Sequence, residues 1–199
     1  MSTLTDRVKA LFRRVGPFDP NTISSEMGLY PMTKSGATIN ESSAMAISTV
    51  YACVYKISST IASLGLEIYE RDGRNVVQAN VHPAYNLVKV KPNNHQTAYE
   101  FWESITASAV IYGVGYAIIE RDERGYATQL IPVHYSDVDL RNVKGERVYS
   151  VKDVGIVRPE NMLEICNLQR MSPIRLHREN LGLAKSAQDF GAEYFGQSG

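Results

Sequence analysis

Apolar residues recur every three or four positions in three stretches of the chain, a spacing that places them along one face of an α-helix. In the first stretch they are Ile47, Val50, Tyr51, Val54, Ile57, Ile61 and Leu64. The spacing predicts a helix of about 20 residues, N-capped by Ser42 or Ser43 and ended at Gly65. Its other face is rich in Ser and Thr rather than Lys and Glu. Because small polar side chains allow a neighbour to approach closely, we predict that this helix is packed on two sides.

The other two periodic stretches carry clear signals at their first turns. Thr97 and Glu100 have capping-box spacing, in which each side chain bonds to the backbone at the other residue. The helix that they open ends at Gly113 and has one apolar side, formed by Phe101, Trp102, Ile105, Ala109 and Tyr112. The third helix begins with Ser172 as N-cap and Pro173 at the first helical position, where the missing N–H has no cost.

Between the helices, apolar and polar residues alternate as they do in strands that are buried on one side. Turn residues such as Asp72-Gly73 and Lys144-Gly145 separate neighbouring runs and predict β-hairpins. The predicted strands are residues 66–70, 74–78, 116–121, 126–133, 138–143, 146–151 and 162–168. The pattern therefore predicts an α+β fold with three longer helices and antiparallel β-hairpins.

The N-terminal residues differ from the rest of the chain. Residues 1–15 predict a basic amphipathic helix, with Arg7, Arg13 and Arg14 off an apolar face formed by Leu4, Val8, Leu11, Phe12 and Val15. They lack the continuous apolar region of a secretory signal. We favour docking on a partner subunit over attachment to a membrane surface. Residues 16–43 are rich in Pro, Gly, Ser, Thr and Asn and predict a linker, which leaves 44–199 as the α+β region.

Charge and composition narrow the function further. The chain has 21 basic and 21 acidic residues, so its formal net charge is zero, which argues against a simple nucleic-acid coat. No run of 18 apolar residues, the length that predicts a transmembrane helix, occurs in the sequence. The two cysteines, Cys53 and Cys166, lie in no metal or redox motif, and we interpret them as buried small apolar side chains.

The search for catalytic chemistry is mostly negative. The sequence has no phosphate-binding Gly-x-x-x-x-Gly-Lys-Ser/Thr loop, and Gly113-Val114-Gly115 follows a helix rather than a strand, which favours helix termination. The four histidines, His82, His95, His134 and His177, do not pair at metal-binding spacing. We therefore predict no catalytic, cofactor-binding or metal-binding residue and no cofactor.

Two weaker signals remain in the β-rich region. Asp137 and Asp139 would share one face of a strand, as a metal site requires, but a solvated strand face has the same pattern. The most basic short stretch contains Arg141, Lys144 and Arg147, and Asp137, Asp139 and Glu146 balance its charge. We interpret it as a solvated face, which leaves any DNA-contact residue unknown.

A set of short segments, occurring in a particular order, carries a family resemblance. They are Ser48-Thr49-Val50-Tyr51-Ala52-Cys53-Val54, His82-Pro83, Lys91-Pro92-Asn93, Thr97-Ala98-Tyr99-Glu100-Phe101, Gly113-Val114-Gly115-Tyr116-Ala117, Pro132-Val133-His134, Arg158-Pro159-Glu160-Asn161, Ser172-Pro173-Ile174-Arg175 and Gly191-Ala192-Glu193-Tyr194-Phe195. Together they span nearly all of residues 44–199. In this order and spacing the chain resembles the N-terminal part of portal proteins from long-tailed, double-stranded DNA phages.

The resemblance implies a structural, non-enzymatic subunit of a dodecameric ring at one capsid vertex of the virion, assembled in the host cytoplasm. Its implied partners are further copies of itself, the major capsid protein, the terminase and the head-tail connector protein. Double-stranded DNA would pass through the channel without sequence specificity, and no membrane is expected. The resemblance also implies that 44–199 forms the peripheral, wing-like part of the subunit, before the channel-lining part.

Two other classes of function stay open at this point. One is another interaction module, either a head-tail adaptor or a membrane-associated scaffold that uses the basic N-terminal helix. The other is a hydrolase in which His134 acts as a base beside Asp137 and Asp139.

Overall fold

A computed structural model describes residues 32–143, 145–168 and 170–197. Its helices are α1 (Glu41–Met45), α2 (Ser48–Ser63), α3 (Tyr85–Lys89), α4 (Ala98–Tyr112), α5 (Pro173–Leu176) and α6 (Arg178–Gly196). Its strands are β1 (Tyr69–Asp72), β2 (Asn75–Gln78), β3 (Val114–Arg121), β4 (Ala127–Val133), β5 (Val138–Val143), β6 (Glu146–Val151), β7 (Gly155–Val157) and β8 (Met162–Cys166). The predicted α+β fold with three longer helices is confirmed. The predicted helix at 1–15 lies outside the described residues.

All of the described strands pair in antiparallel fashion, in three small sheets. Strands β1 and β2 form an isolated hairpin, and the other two sheets have the orders β4-β3-β8 and β5-β6-β7. Strand β3 is central in its sheet, where Tyr116 lies between Val133 of β4 and Glu164 of β8. The predicted hairpin formed by 138–143 and 146–151 is confirmed, whereas the short strand β7 carried too few residues to predict.

Alternation along β3 places the central sheet between two apolar layers. Tyr116 and Ile118 pack with residues of the β5-β6-β7 sheet, in a cluster completed by Ile131, Val133, Tyr149, Val151, Val157 and Met162. Ala117, which points the other way, packs with α4 in a cluster completed by Ala62, Phe101, Trp102, Ile105 and Leu130. The layers are therefore helix, sheet and sheet, held by side chains that alternate with period two.

Helix α4 is the centre of the core, and its ends follow from its sequence. The Thr97 hydroxyl accepts a bond from the Glu100 N–H at 3.3 Å, and the Glu100 carboxylate accepts one from the Thr97 N–H at 2.8 Å. Gly113 ends the helix in the left-handed conformation, with φ of 93°. The capping box and the C-terminal glycine predicted from the sequence are both confirmed.

The predicted N-cap of α2 is wrong. The helix begins at Ser48, with Ile47 as N-cap, while Ser42 and Ser43 belong to α1, which Asn40 caps. Its buried residues are Val54, Ser58 and Ala62 rather than the bulky apolar ones. Small side chains such as Ser58 and Ala62 are buried because they let α2 approach α4 closely. The buried Ser58 hydroxyl keeps a hydrogen-bond partner by donating to the Val54 carbonyl at 2.9 Å.

The described part of the predicted linker lies against α6. Thr33 is buried and packs where Gly182 has no side chain: a Cβ on Gly182 would lie 2.5 Å from the Thr33 Oγ1. The Lys34 N–H donates to the Glu179 carboxylate at 3.0 Å, and the Ser186 hydroxyl donates to the Ser35 carbonyl at 3.1 Å. These contacts fix residues 33–35 to α6 although their composition alone predicts no structure.

The last predicted helix is divided in two. Ser172 caps α5 and Pro173 occupies its first turn, as predicted. His177, with φ of −108° and ψ of 20°, departs from helical geometry and separates α5 from α6. The apolar periodicity continues across this position, which is why the sequence did not show the break.

Candidate functional site

His134, which the sequence offered as the base of a hydrolase beside Asp137 and Asp139, caps a turn and packs against aromatic rings. The His134 Nδ1 lies 2.7 Å from the Ser136 hydroxyl, and its ring packs against Tyr112 and Tyr135 at 5.3 and 5.0 Å between centroids. His134 thereby caps a 3-10 turn at Tyr135–Asp137.

Asp137 lies in that turn, so the prediction that both aspartates share one strand face is wrong. Asp139 follows on β5 and pairs with Arg141 at 3.2 Å. Among the described residues, no group of three or more His, Cys, Asp or Glu side chains has the arrangement of a metal site.

Gly113 and Gly115 are required by packing. A Cβ on Gly113 would lie 2.6 Å from the Met171 carbonyl carbon, and one on Gly115 would lie 2.4 Å from the Ile105 carbonyl oxygen. Gly113 thus lets the chain leave α4, and Gly115 lets β3 run directly beside that helix. Both glycines act in the fold, in agreement with the interpretation of this segment as a helix terminator.

The arginines of the third hairpin, formed by β5 and β6, make ion pairs with acidic side chains. Arg147 lies 3.2 Å from Glu164, which also pairs with Arg170 and accepts a bond from the Tyr149 hydroxyl at 2.8 Å. Burial, together with this bond to Glu164, raises the pKa of Tyr149 to about 12. The Glu164 side chain is only 11% exposed, so it forms a largely buried junction between the two three-stranded sheets. Lys144 lies outside the described residues.

Exposed apolar residues on α2 form the first candidate assembly surface. Cys53, Ile57, Ile61 and Leu64 lie together on one flank of the helix, and the last three are 44%, 47% and 77% exposed. We call this flank the α2 surface. Ile57, Ile61 and Leu64 stay outside the core because α4 contacts the face of α2 that carries Ser58 and Ala62. Contiguous exposed apolar residues mark interaction sites in folded proteins.

Neither cysteine is buried, contrary to the prediction. Cys53 belongs to the α2 surface, and Cys166 is exposed at the end of β8, at the edge of its sheet. Both residues lie at positions that face out of the subunit. Composition alone could not show this, because cysteine is usually among the most buried residue types.

Helix α6 carries the second candidate assembly surface. Leu183, Phe190 and Tyr194 are 65%, 71% and 65% exposed, and Ala187 lies exposed between them. Their spacing of four, three and four residues aligns them in one stripe, which we call the α6 stripe. Gly182 is the single buried residue among those described for this helix. The exposure of the α6 stripe could not be predicted from apolar periodicity, because a helix in the core has the same periodicity.

The β1–β2 hairpin also exposes apolar side chains. Every residue of the two strands is exposed, including Tyr69, Val76 and Val77. An isolated two-stranded hairpin is marginally stable in water. Its contacts with other parts of an assembly would therefore matter for its order.

A buried carboxylate connects the N-terminal and C-terminal parts of the region. The Glu41 side chain is 1% exposed, and its Oε1 accepts a bond from the Arg175 Nε at 3.1 Å. Arg175 also reaches the Tyr135 hydroxyl, 3.3 Å away. This interaction fixes α5, and with it the start of α6, to α1 and to the turn that His134 caps.

Every helix in the described part of the chain is too short or too polar to cross a membrane. The described surfaces instead consist of exposed apolar stripes on two helices and a paired charge network between sheets. Contiguous exposed apolar residues mark interaction sites in folded proteins, whereas the charge network lies within the subunit.

Comparison with known proteins gives these surfaces a context. The family model described as phage portal protein matches residues 48–199. The portal protein of Enterobacteria phage HK97 is 29% identical over an alignment of 170 residues, and the match covers 80% of this chain and 40% of that protein.

Two solved structures share the fold. A HK97 family phage portal protein from Corynebacterium diphtheriae has a TM-score of 0.55 and 17% identity, over 77% of this chain and 48% of that one. A chain from the neck of an empty GTA particle, computed with C6 symmetry, has a TM-score of 0.51 and 15% identity, over 92% and 46%. The chain thus spans about half the length, or less, of the proteins that it matches.

Proposed function

Because the chain belongs to the phage portal protein family, we propose that it is a structural subunit of a portal ring at the capsid vertex of a virion. One observation carries the proposal: the family match over residues 48–199 coincides with the α+β region that the structure describes. Residues 44–199 are then the wing-like part of the subunit, preceded by residues 1–15 as a helix and residues 16–43 as a linker.

The ring would act as the conduit for double-stranded DNA during packaging and ejection, without sequence specificity. The charge distribution supports this role. The net charge is zero, and in the third hairpin Arg141 and Arg147 are engaged by Asp139 and Glu164. Each free cation that faces a phosphate strengthens DNA binding. Weak contacts therefore suit DNA that must move through a channel.

The subunit would work through contacts rather than chemistry. Its partners are proposed to be further copies in a dodecamer, the major capsid protein, the terminase and the head-tail connector, with assembly in the host cytoplasm. The α2 surface and the β1–β2 hairpin, which are exposed in the single chain, supply apolar area for such contacts. No enzymatic activity is part of the proposal, and His134, Gly113 and Gly115 all have packing roles.

The first test is the mass and shape of the purified chain, by light scattering and negative-stain microscopy. Twelve copies of the 22.2 kDa chain would have a mass of about 270 kDa and appear as rings with a central hole. Closed rings of that size would establish the subunit role. A chain that stays monomeric up to millimolar concentration, and does not join rings of a full-length relative, would contradict it.

Variants of the α2 surface sharpen this test. Cys53→Arg and Ile61→Arg place a charge on an exposed flank that packing within the subunit does not use. We expect both variants to fold normally but to lose ring formation, because a charge buried at a subunit contact is costly. Arg124→Glu, in the exposed turn between β3 and β4, is the matched control and should assemble as the wild type does.

A further inference from the structure

We infer that residues 4–15 of the same chain cover the α6 stripe. The inference goes beyond the subunit role proposed above and does not depend on it, because it concerns an intramolecular contact. It begins from an unusual feature of α6: a helix of 19 residues whose most regular apolar stripe lies on the surface. A stripe of this kind needs an apolar partner with matching spacing.

Residues 4–15 have that spacing. Leu4, Val8, Leu11 and Val15 follow one another at four, three and four residues. The α6 stripe, Leu183, Ala187, Phe190 and Tyr194, repeats the same intervals. Two helical stripes with one heptad spacing can interdigitate along their whole common length, which is the geometry of a two-stranded helix pair.

The charges around the two stripes are opposite in sign. Residues 1–15 contain four basic side chains and one acidic one, Asp6. Helix α6 contains three acidic side chains, Glu179, Asp189 and Glu193, against two basic ones. Opposite charges beside an apolar seam favour pairing and oppose self-pairing of either helix.

The described chain begins beside α6, which places residues 4–15 within reach. Thr33 packs at Gly182, and Lys34 and Ser35 bond to Glu179 and Ser186. Residues 16–31 separate residues 4–15 from the described chain, and sixteen residues span up to about 50 Å when extended. Helix α6 is about 28 Å long. A segment tethered at one end of its target has a high effective concentration, which favours contact within one chain.

Hydrogen exchange followed by mass spectrometry on the full 199-residue chain tests the inference. We expect the amides of residues 4–15 to exchange at least tenfold more slowly than in a free peptide of that sequence. In the double variant Phe190→Asp/Tyr194→Asp this protection should disappear. Phe190 and Tyr194 are exposed, so their replacement leaves the fold intact.

Phe195→Asp is the matched control. Phe195 is 77% exposed on the same helix but lies off the stripe, so its variant should keep the protection. Peptide-like exchange of residues 4–15 in the wild type, or protection unchanged by the double variant, would overturn the inference. Protection that disappears on dilution would also overturn it, because the occupant would then be a second copy.

Discussion

Helices α4 and α6 are of similar length, 15 and 19 residues, yet they occupy opposite environments. Helix α4 buries seven residues, with α2 on one side and the central sheet on the other. Helix α6 buries Gly182 alone among its described residues and presents large apolar side chains to solvent. The difference shows that apolar periodicity predicts a helix without predicting whether its apolar face packs in the core.

The largest effect should come from the core face of α4. Phe101 is fully buried, and Phe101→Ala should lower the free energy of unfolding by about 3–5 kcal/mol because it leaves a cavity beside the central sheet. Phe195→Ala on α6, at a residue that is 77% exposed and lies off the α6 stripe, is the matched control and should change it by less than about 0.5 kcal/mol. Urea unfolding of the two variants measures both values. Equal losses would mean that Phe195 is buried within the subunit.

Two ion pairs allow a comparison between a buried carboxylate, Glu41, and an exposed one on α6, Asp189. Arg175→Ala removes a charged partner of Glu41, which is 1% exposed, and should cost about 2 kcal/mol because that carboxylate stays buried. The value is below that of a fully buried pair because half of the Arg175 side chain is exposed. Lys185→Ala breaks the exposed α6 pair with Asp189 and should cost less than about 0.5 kcal/mol. A smaller loss for Arg175→Ala than for Lys185→Ala in urea unfolding would refute this ranking.

High pH should weaken the junction between the two three-stranded sheets. Burial raises the pKa of Tyr149 to about 12 from its ordinary value of 10, so the folded state holds this proton more tightly than the unfolded state does. The resulting stability is fully present below pH 10 and is lost as the pH rises from 10 to 12. Thermal unfolding across that range should show a steeper loss for the wild type than for Tyr149→Phe. Parallel profiles would exclude this contribution.

The smallest effect concerns the helix caps. Thr97→Ala removes the hydroxyl that caps α4 and should cost about 1 kcal/mol. Helix α2 has no side-chain cap, so Thr49→Ala in its exposed first turn should change stability by less than about 0.5 kcal/mol. Comparing the urea midpoints of the two variants measures this difference. If Thr49→Ala costs as much as Thr97→Ala, the first turn of α2 is also stabilised by a side-chain cap, which would contradict the prediction.

Local features of the fold could be predicted because their causes are local. The capping box at Thr97 and Glu100, the glycine stop at Gly113 and the cap at Ser172 each involve residues within one turn. The strands at 138–143 and 146–151 followed from alternation on either side of a turn. The order of short segments also identified the family, which the match over 48–199 confirms.

By itself, then, the sequence determined the positions of the three longer helices and of most strands, the α+β class and the family. The tertiary structure decided which surfaces are buried. It placed Ser58 and Ala62 of α2 against α4, left Ile61 and both cysteines exposed, and fixed residues 33–35 to α6. The physical reason is that periodicity and capping depend on neighbours along the chain, whereas burial depends on which distant surface fits most closely.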